Sequence, residues 1–345
     1  MNPQSIVQAL ALSGGGYKGL YTATVIADFE DHTQIPFAKH FDLLSGTSIG
    51  GIIALALAAE ISAQEIVSQL ETNGAKIFTP LEPLNNLLHP FRARMRKSGF
   101  DINRGICKAK HSADPLRETL ESIFGDRTIG DLKHRILIPS VNWTKGGPQF
   151  FKTPHHSRFT RDRSKSLVNV ALATSAAPIY LPNHEFDDQI YVDGALVGNA
   201  PGLFAHHELL HNTELEDGPI LGDEKNIRLL AIGALSAKIT ANQKESTDRG
   251  LLSWKGDLFS LMMASQEGVT DFMLKQKLGE EGYYKIDVEL SPEQNKSVDL
   301  DMTTIAATRT IKGLARSSAQ DASGVPFVKD ILAYRAPSAY FHPPS

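Results

Sequence analysis

The sequence predicts an α/β fold with helices on both faces of a central sheet. Two observations lead to this prediction. Short apolar segments that favour buried strands alternate along the chain with longer segments of helical periodicity. The first two strands each run through a glycine-containing turn directly into a helix. No internal repeat, low-complexity tract or obvious linker interrupts the 345 residues, so we expect a single domain over residues 1–345.

Composition sets limits on the possible functions. The chain is 41% hydrophobic and 21% charged, which is typical of a soluble globular protein. A net charge of −4 argues against binding to a nucleic-acid polymer. Cys107 is the single cysteine, which excludes an internal disulfide and fits a reducing, cytoplasmic compartment. We find no signal peptide, and the longest apolar run, Ile52–Ala59, is far too short to span a bilayer, so any membrane contact is expected to be peripheral.

The first predicted strand, Ile6–Ser13, leads into the glycine-rich turn Gly14-Gly-Gly-Tyr-Lys-Gly19 and then a helix through about Glu30. Such a turn at a helix N-terminus favours an anion. One interpretation is the G-x-G-x-x-G dinucleotide fingerprint of a nicotinamide- or flavin-binding oxidoreductase, but the second strand carries no acid at its end to hold a ribose. The alternative interpretation makes Gly14, Gly15 and Gly16 backbone N–H donors of an oxyanion hole.

The second strand and helix enclose a sequence that is typical of a nucleophile elbow. Phe41 to Leu44 favours a buried strand, Ile49 to Ala59 favours a helix, and Gly46-Thr-Ser-Ile-Gly50 lies between them. In the G-x-S-x-G pattern the serine occupies a tight, strained turn, and a side chain two residues either way would collide with the neighbouring strand and helix. The pattern therefore predicts that Ser48 is a nucleophile at a helix N-terminus, where the helix dipole stabilises developing negative charge.

The remaining elements follow from the same periodicity. Predicted helices cover Ala63–Lys76, Ser112–Phe124, Leu167–Ala177, Trp254–Lys277 and Met302–Arg316, with a further helix after Pro201. Predicted strands cover Arg135–Trp143, Gln149–Lys152, Ile190–Asp193, Ile227–Ile232 and Tyr283–Leu290.

A basic segment lies between the third helix and the fourth. It contains Arg92, Arg94, Arg96 and Lys97 among apolar residues. A solvated loop, a lid that touches anionic lipid head groups and a docking site for a phosphate-bearing ligand all fit this pattern.

Asp193 ends a predicted strand immediately before Gly194. Taken alone, an aspartate in this position either completes a turn or points into a site. Together with the elbow and the glycine turn, Asp193 is the candidate base that would activate Ser48.

A second motif points to different chemistry. His207-Glu-Leu-Leu-His211 fits the H-E-x-x-H pattern of zinc proteases, but no third ligand of recognisable spacing follows it. We interpret this segment as an ordinary helix and expect no metal.

The three motifs Gly14-Gly-Gly-Tyr-Lys-Gly19, Gly46-Thr-Ser-Ile-Gly50 and Asp193-Gly-Ala195, in this order, resemble those of the patatin-like phospholipases. The resemblance spans at least Ile6 to Pro201, a motif core at about 6–201 that the later strands and helices would complete. It implies a three-layer fold with a mainly parallel sheet.

The same resemblance assigns roles within the motifs. It makes Ser48 the nucleophile, Asp193 its partner and the three glycines the oxyanion hole. Lys18 occupies the family's basic position, and Gly19, Gly46, Gly50 and Gly194 support the motifs. Ala195 is a departure, because the family often has a second glycine there.

A serine–aspartate dyad and a serine–histidine–acid triad both remain open from the residues alone. In a dyad Asp193 accepts the Ser48 proton directly, and partial burial must raise its proton affinity because a free aspartate has a pKa near 3.9. His206, His207 and His211 follow Asp193 and could supply a triad, but they lie beyond Pro201 on a separate predicted helix. We favour the dyad.

The segments Leu10–Thr24 and His40–Gly51 look like those of the bacterial patatin-like effectors of CBASS anti-phage signalling. In that group a cyclic dinucleotide, often cyclic GMP-AMP, activates hydrolysis of the cell's own membrane phospholipids. The resemblance therefore implies 3',3'-cGAMP or a related activator, no cofactor for catalysis, contact with the inner leaflet when active, and a possible homo-oligomer. A constitutive lipase and a catalytically inactive nucleotide-binding module are the alternatives.

Overall fold

A mixed sheet forms the centre of the molecule. The computed structural model describes residues 6–81, 108–215, 218–219, 224–236, 248, 254 and 257–343. The strands, in chain order, are β1 (Val7–Leu12), β2 (Leu43–Gly46), β3 (Ile136–Asn142), β4 (Gly147–Lys152), β5 (His184–Phe186), β6 (Gln189–Val192), β7 (Glu214–Leu215), β8 (Gly218–Pro219), β9 (Ile227–Ile232) and β10 (Tyr283–Ile286).

The sheet has a parallel part and an antiparallel part. Its order is β10-β9-β1-β2-β3-β6-β5, with β4 also paired to β3, while β7 and β8 form a separate pair. Strands β10, β9, β1, β2 and β3 run parallel. Strands β4 and β6 each pair antiparallel with β3, and β5 pairs antiparallel with β6. The parallel strands place β1 and β2, which precede the glycine turn and the elbow, side by side.

Helices cover both faces of this sheet. In chain order they are α1 (Gly19–Thr33), α2 (Ile49–Ala58), α3 (Ala63–Ile77), α4 (Asp114–Phe124), α5 (Leu167–Thr174), α6 (Ala195–Gly198), α7 (Gly202–His211), α8 (Asp257–Gly282), α9 (Pro292–Asn295), α10 (Ile305–Ser323) and α11 (Pro326–Ala333). Within the described ranges, none of these helices has the length and apolar content needed to cross a membrane.

The alternation of side chains along β1 separates the two layers of helices. Leu10 and Leu12 belong to a large core cluster with residues of α1 to α5, α10 and α11. Ala9 and Ala11 point to the other face, where they pack with residues of α7 and α8. Because β1 is buried on both faces, it is apolar throughout except for Gln8, whose side chain donates to the His40 carbonyl at 2.7 Å.

Most predicted elements are present, but several of their boundaries were wrong, including the following four. The second strand was predicted from Phe41 but begins at Leu43, because Phe41 and Asp42 follow a 3-10 turn. Phe41 is apolar because it is buried, although it lies outside the strand. The strand after Gly282 ends at Ile286. The helix predicted to reach Ala177 ends at Thr174. The helix predicted from Met302 begins at Ile305, since the Thr304 side chain caps it.

Strand β5 and helix α11 were not predicted. Both are short, three and eight residues, and β5 is held mainly by its pairing with β6 rather than by a periodic pattern of its own. Because β9 and β10 hydrogen-bond into the same sheet as β1, we propose that the whole chain forms one domain.

Candidate active site

Ser48 lies on a strained turn between β2 and α2. Its backbone φ of 56° and ψ of −125° are unfavourable for a residue with a side chain. The flanking glycines allow the turn. A Cβ on Gly46 would lie 2.0 Å from the Gly50 carbonyl oxygen, and a Cβ on Gly50 would lie 2.4 Å from the Leu12 carbonyl oxygen. These are the collisions with helix and strand that the sequence pattern predicts.

The Ser48 hydroxyl contacts a carboxylate that comes from the opposite part of the sheet. Ser48 Oγ donates to Asp193 Oδ2 at 2.8 Å, across 145 residues of sequence. The other carboxylate oxygen, Oδ1, accepts from the Ala195 N–H at 2.7 Å. Asp193 is 1% exposed. Burial raises its pKa from 3.8 to about 7, although the bonds from Ala195 and Ser48 work in the opposite direction.

Asp193 is fixed by the backbone around it. It follows the last residue of β6, and its N–H donates to the Ala176 carbonyl at 3.1 Å. The next N–H, of Gly194, donates to the Thr174 carbonyl at 3.0 Å. A Cβ on Gly194 would lie 2.3 Å from the Pro139 carbonyl oxygen, so only glycine allows this close approach to β3.

The glycine turn lies directly beside Ser48. A Cβ on Gly14 would lie 3.1 Å from the Ser48 Cβ. However, the Gly14 N–H donates to the Asn199 carbonyl at 3.1 Å, so this group is not available as an oxyanion donor. Among the bonds between described residues, the N–H groups of Gly15 and Gly16 have no acceptor. The prediction is therefore corrected for Gly14, because the tertiary fold uses its N–H, and Gly15 and Gly16 remain the predicted donors.

Two other residues of the glycine motif, Lys18 and Gly19, make contacts that hold the turn in place. Lys18 Nζ donates to the Leu235 carbonyl at 3.0 Å. Burial lowers the pKa of Lys18, and the carboxylates of Glu267 and Asp299 act against this shift. A Cβ on Gly19 would lie 2.2 Å from the Ile49 side chain, so this glycine lets α1 and α2 pack closely.

An apolar cavity opens from Ser48. It encloses about 940 Å³ of space between protein atoms, part of it open to solvent, and Gly15, Gly16 and Asp193 line it near the serine. Its apolar lining comes from α2, α3, α4 and α8: Ile52, Ile66, Leu70, Leu116, Leu120, Ile123, Phe259 and Met263. No histidine of the described residues lines this cavity.

The glutamate of the H-E-x-x-H segment makes structural contacts, and the two histidines of the motif are exposed. Glu208 is buried, and its carboxylate accepts from Lys152 at 2.7 Å and pairs with His155 at 3.0 Å. His207 and His211 are exposed, with ring centroids 4.7 Å apart. Glu208 is thus turned into the core and cannot serve a metal on those two rings. Across the described ranges, no group of three or more His, Cys, Asp or Glu side chains could hold a metal ion.

Comparison with known proteins identifies the family. The family model described as "Patatin-like phospholipase" matches residues 10–205, which include the glycine turn, the elbow and Asp193. The chain belongs to the patatin-like phospholipase family. Patatin-like phospholipases are serine ester hydrolases, and this chain is therefore an enzyme of that class.

Two curated relatives match nearly the whole chain. A "cGAMP-activated phospholipase" of Pseudomonas aeruginosa is 43% identical over 334 residues, which cover 96% of this chain and 94% of the relative. A "cGAMP-activated phospholipase" of Vibrio cholerae is 31% identical and covers 91% of each chain. Because the chain belongs to the patatin-like family, the glycine turn is not the dinucleotide fingerprint of an oxidoreductase. Within this turn, a Cβ on Gly16 would lie 2.2 Å from the Leu300 carbonyl oxygen.

The sequence reasoning missed two residues at the patatin-like site. Thr174 accepts from the Ser48 N–H at 3.1 Å, and it stands out in the sequence as a polar residue within the apolar run of α5. Asn199 bonds to both the N–H and the carbonyl of Gly14. Its signal is weaker: an asparagine six residues after Asp193. The basic residues Arg92, Arg94, Arg96 and Lys97 lie outside the described residues.

Proposed function

We propose that this protein is a lipid acyl hydrolase that cleaves the ester bonds of membrane phospholipids through a Ser48–Asp193 dyad. The observation that supports the proposal most directly is the 2.8 Å hydrogen bond between the two side chains, both of which line an apolar cavity. An aspartate with a pKa of about 7 is a competent general base near neutral pH, because it is partly ionised yet binds a proton strongly.

The reaction would proceed in two steps. Ser48 Oγ attacks the ester carbonyl carbon while its proton passes to Asp193 Oδ2. The tetrahedral intermediate then collapses, the bond to the leaving alcohol breaks, and Asp193 returns the proton to that alcohol oxygen. Water next attacks the acyl-enzyme and gives a proton to Asp193, which returns it to Ser48 as the fatty acid leaves.

Backbone groups would stabilise the charge on the intermediate. Gly15 and Gly16 line the cavity with Ser48, and their N–H groups have no acceptor in the part of the chain that the structure describes. Helix α2 begins at Ile49, directly after the serine. The dipoles of these groups are fixed before the reaction, so they need not reorganise as the oxyanion forms. Removing a single donor of this kind typically costs about 10²–10³ in kcat.

The apolar cavity would bind one acyl chain. Its walls are mostly hydrocarbon, and Ser48, Gly15 and Gly16 belong to the same lining. A fatty-acyl chain gains about 0.8 kcal/mol for each methylene that leaves water, so such a cavity favours long chains over short ones.

We further propose that 3',3'-cGAMP or a related cyclic dinucleotide activates the enzyme. The support is the activator in the printed names of the Pseudomonas and Vibrio relatives, together with their near-complete overlap with this chain. In this proposal the resting enzyme is nearly inert, acts at the inner leaflet during anti-phage defence, and needs no cofactor. Its nucleotide site is unassigned.

The test measures hydrolysis of a fluorogenic phospholipid in vesicles, with and without 3',3'-cGAMP, alongside labelling by a fluorophosphonate. Wild type should label on Ser48 and hydrolyse lipid when the nucleotide is added. Ser48→Ala and Asp193→Asn should each lose at least about 10⁴ in rate and keep a folded circular dichroism spectrum. His207→Ala and His211→Ala serve as controls, because both rings are exposed and away from the cavity.

Each outcome has a distinct meaning. Full activity without nucleotide would contradict the regulation and leave a constitutive lipase. Nucleotide binding with no labelling would indicate a binding module without catalysis. A histidine variant as inactive as Ser48→Ala would contradict the dyad.

A further inference from the structure

We propose that Asn199 is a positioning residue that aims the oxyanion donors, and that Glu267 on α8 holds Asn199 in the required orientation. This inference rests on the proposed ester hydrolysis. Asn199 is 2% exposed and lines the catalytic cavity. Its carbonyl accepts from the Gly14 N–H at 3.1 Å, and its side-chain Nδ2 donates to the Gly14 carbonyl at 3.2 Å. One residue therefore binds both polar groups of the first glycine.

The planarity of the peptide bond converts this contact into an orientation of the next N–H. The Gly14 carbonyl and the Gly15 N–H belong to the same trans peptide unit, in which they point in opposite directions. When the Asn199 amide fixes the carbonyl, it fixes the direction of the Gly15 N–H as well. Glycine has two very flexible backbone dihedrals, so a turn with three consecutive glycines would otherwise let this peptide rotate.

Glu267 determines which way the Asn199 amide faces. The second hydrogen on Nδ2 is donated to Glu267 Oε1 at 2.5 Å. The Gly14 carbonyl can only accept a hydrogen bond, so Nδ2 rather than Oδ1 must point toward Gly14, and the other hydrogen of the same amide then faces Glu267. Consistent with this orientation, Asn199 Oδ1 has no partner among the described residues.

Two residues of helix α8 accept hydrogen bonds from Asn199. Besides the Glu267 contact, the Asn199 N–H donates to Gln266 Oε1 at 3.2 Å. The Glu267 carboxylate is itself held in place, because Lys285 Nζ lies 3.7 Å from its other oxygen and 2.9 Å from Asp287. The chain of contacts thus runs from a partly buried ion cluster at the end of β10, through α8 and Asn199, to the peptide that carries the Gly15 N–H.

The test uses Asn199→Asp, which keeps the shape but replaces the donating amide with a carboxylate that repels both Gly14 O and Glu267. The number of competent sites is counted by end-point fluorophosphonate labelling, and kcat is expressed per labelled site. We expect kcat per site to fall about 10- to 100-fold with KM little changed, since the donors are misdirected rather than deleted. The Ki of a trifluoromethyl ketone, whose oxyanion would occupy the same hole, should rise by the same factor.

Asn142→Asp is the matched control. Asn142 is also 2% exposed and uses its side chain in hydrogen bonds to Gln189 and Lys145, but it has no contact with the glycine turn. It should change the labelled fraction or the melting temperature without changing kcat per labelled site or the inhibitor Ki. Glu267→Gln tests whether Glu267 holds the Asn199 side chain, because glutamine keeps the packing but allows the Asn199 amide to reverse. It also provides a second variant in case Asn199→Asp does not fold. It should lower kcat per site less than Asn199→Asp.

Different results would contradict the positioning role of Asn199 and the proposed ester hydrolysis. If Asn199→Asp and Glu267→Gln both keep kcat per labelled site and the ketone Ki within about twofold of wild type, Asn199 has only a structural role and the positioning proposal is wrong. If wild type hydrolyses no ester, or Ser48→Ala hydrolyses it as fast as wild type, the proposed function itself fails.

Discussion

The backbone N–H of Ser48 donates to Thr174 Oγ1 at 3.1 Å, so a side chain 126 residues away holds the strained turn of the nucleophile. The Thr174 hydroxyl in turn donates to the Pro139 carbonyl on β3 at 2.6 Å. Since the backbone carbonyl of Thr174 accepts from Gly194, this one residue connects the serine turn to the aspartate turn. The relative position of Ser48 and Asp193 therefore depends on α5 as well as on the two motifs.

We expect Thr174→Val to lower kcat about tenfold, because valine has nearly the same shape but cannot accept from the Ser48 N–H or donate to Pro139. A buried N–H without a partner also costs about 1–3 kcal/mol of stability. Steady-state hydrolysis at a saturating concentration of activator measures the effect. The control is Thr213→Val, which removes a buried hydroxyl bonded to the Glu208 carbonyl. Equal kcat values for the two variants would contradict the role of Thr174.

The pH dependence of kcat/KM should report Asp193. The base must be ionised to accept the serine proton, and burial raises the pKa of this carboxyl to about 7. Below that pH, kcat/KM should fall about tenfold for each pH unit, and above it the rate should level off. Measurements between pH 5 and pH 9 on a neutral ester substrate test this. A rate that stays constant down to pH 5 would exclude Asp193 as a base with this pKa.

Asp193→Asn should stabilise the fold at alkaline pH. The folded-state pKa of about 7 lies above the unfolded value of 3.8, so the folded state keeps a proton that the unfolded state has lost. Wild-type stability therefore falls as pH rises from 3.8 to about 7, whereas the asparagine carries no titrating proton. The stability advantage of the variant should grow by roughly 2–3 kcal/mol between pH 5 and pH 8. Urea unfolding at both pH values tests this, and Ser48→Ala should keep the wild-type trend.

Narrowing the apolar cavity should change chain-length preference. Leu70 on α3 lines the cavity and is only partly buried, so Leu70→Trp can fill space without disrupting the core. We expect kcat/KM to fall roughly tenfold or more for a palmitoyl ester and little for a butyryl ester. Val269→Trp, at a position 57% exposed and outside this cavity, is the control. A uniform loss on both esters would argue against an acyl-binding role.

Gly46→Ala should destroy the elbow. The new Cβ would lie 2.0 Å from the Gly50 carbonyl oxygen, and backbone cannot yield as a flexible side chain would. We expect a loss of about 3 kcal/mol or more in the free energy of unfolding, together with loss of labelling at Ser48. Gly313→Ala is the opposite case, since a Cβ there meets nothing within 4 Å on an exposed part of α10. That change should add about 0.5–1 kcal/mol.

The sequence predicted the parts of the site that depend on local backbone geometry. The elbow around Ser48 and the turn before α6 both require glycine, because a Cβ there would lie 2.0 to 2.4 Å from neighbouring backbone oxygen atoms. Short sequence motifs reveal this requirement. The strand Ile227–Ile232 was predicted with the correct ends because it is an apolar run interrupted only by Arg228. Such features need no knowledge of distant residues.

Long-range contacts could not be read in the same way. Gly14 was predicted as an oxyanion donor, yet its N–H is used by Asn199, a partner that only the packing of β1 against the segment after β6 brings near. Thr174 and Glu267 each reach the site through a hydrogen bond to a residue more than 60 positions away. A lone threonine or glutamate forms no sequence pattern that predicts such a contact.

The position of β1 between β2 and β9 has a consequence for synthesis. Strand β1, which precedes the glycine turn, lacks its neighbour β9 until β9 has been synthesised. Asn199 likewise lacks its hydrogen bonds to α8 until the ribosome has produced residues up to about 282. A nascent chain or a fragment that stops earlier carries both Ser48 and Asp193 but not the framework that aligns them. We therefore expect a fragment that ends before β9 to show no ester hydrolysis, although it contains both side chains.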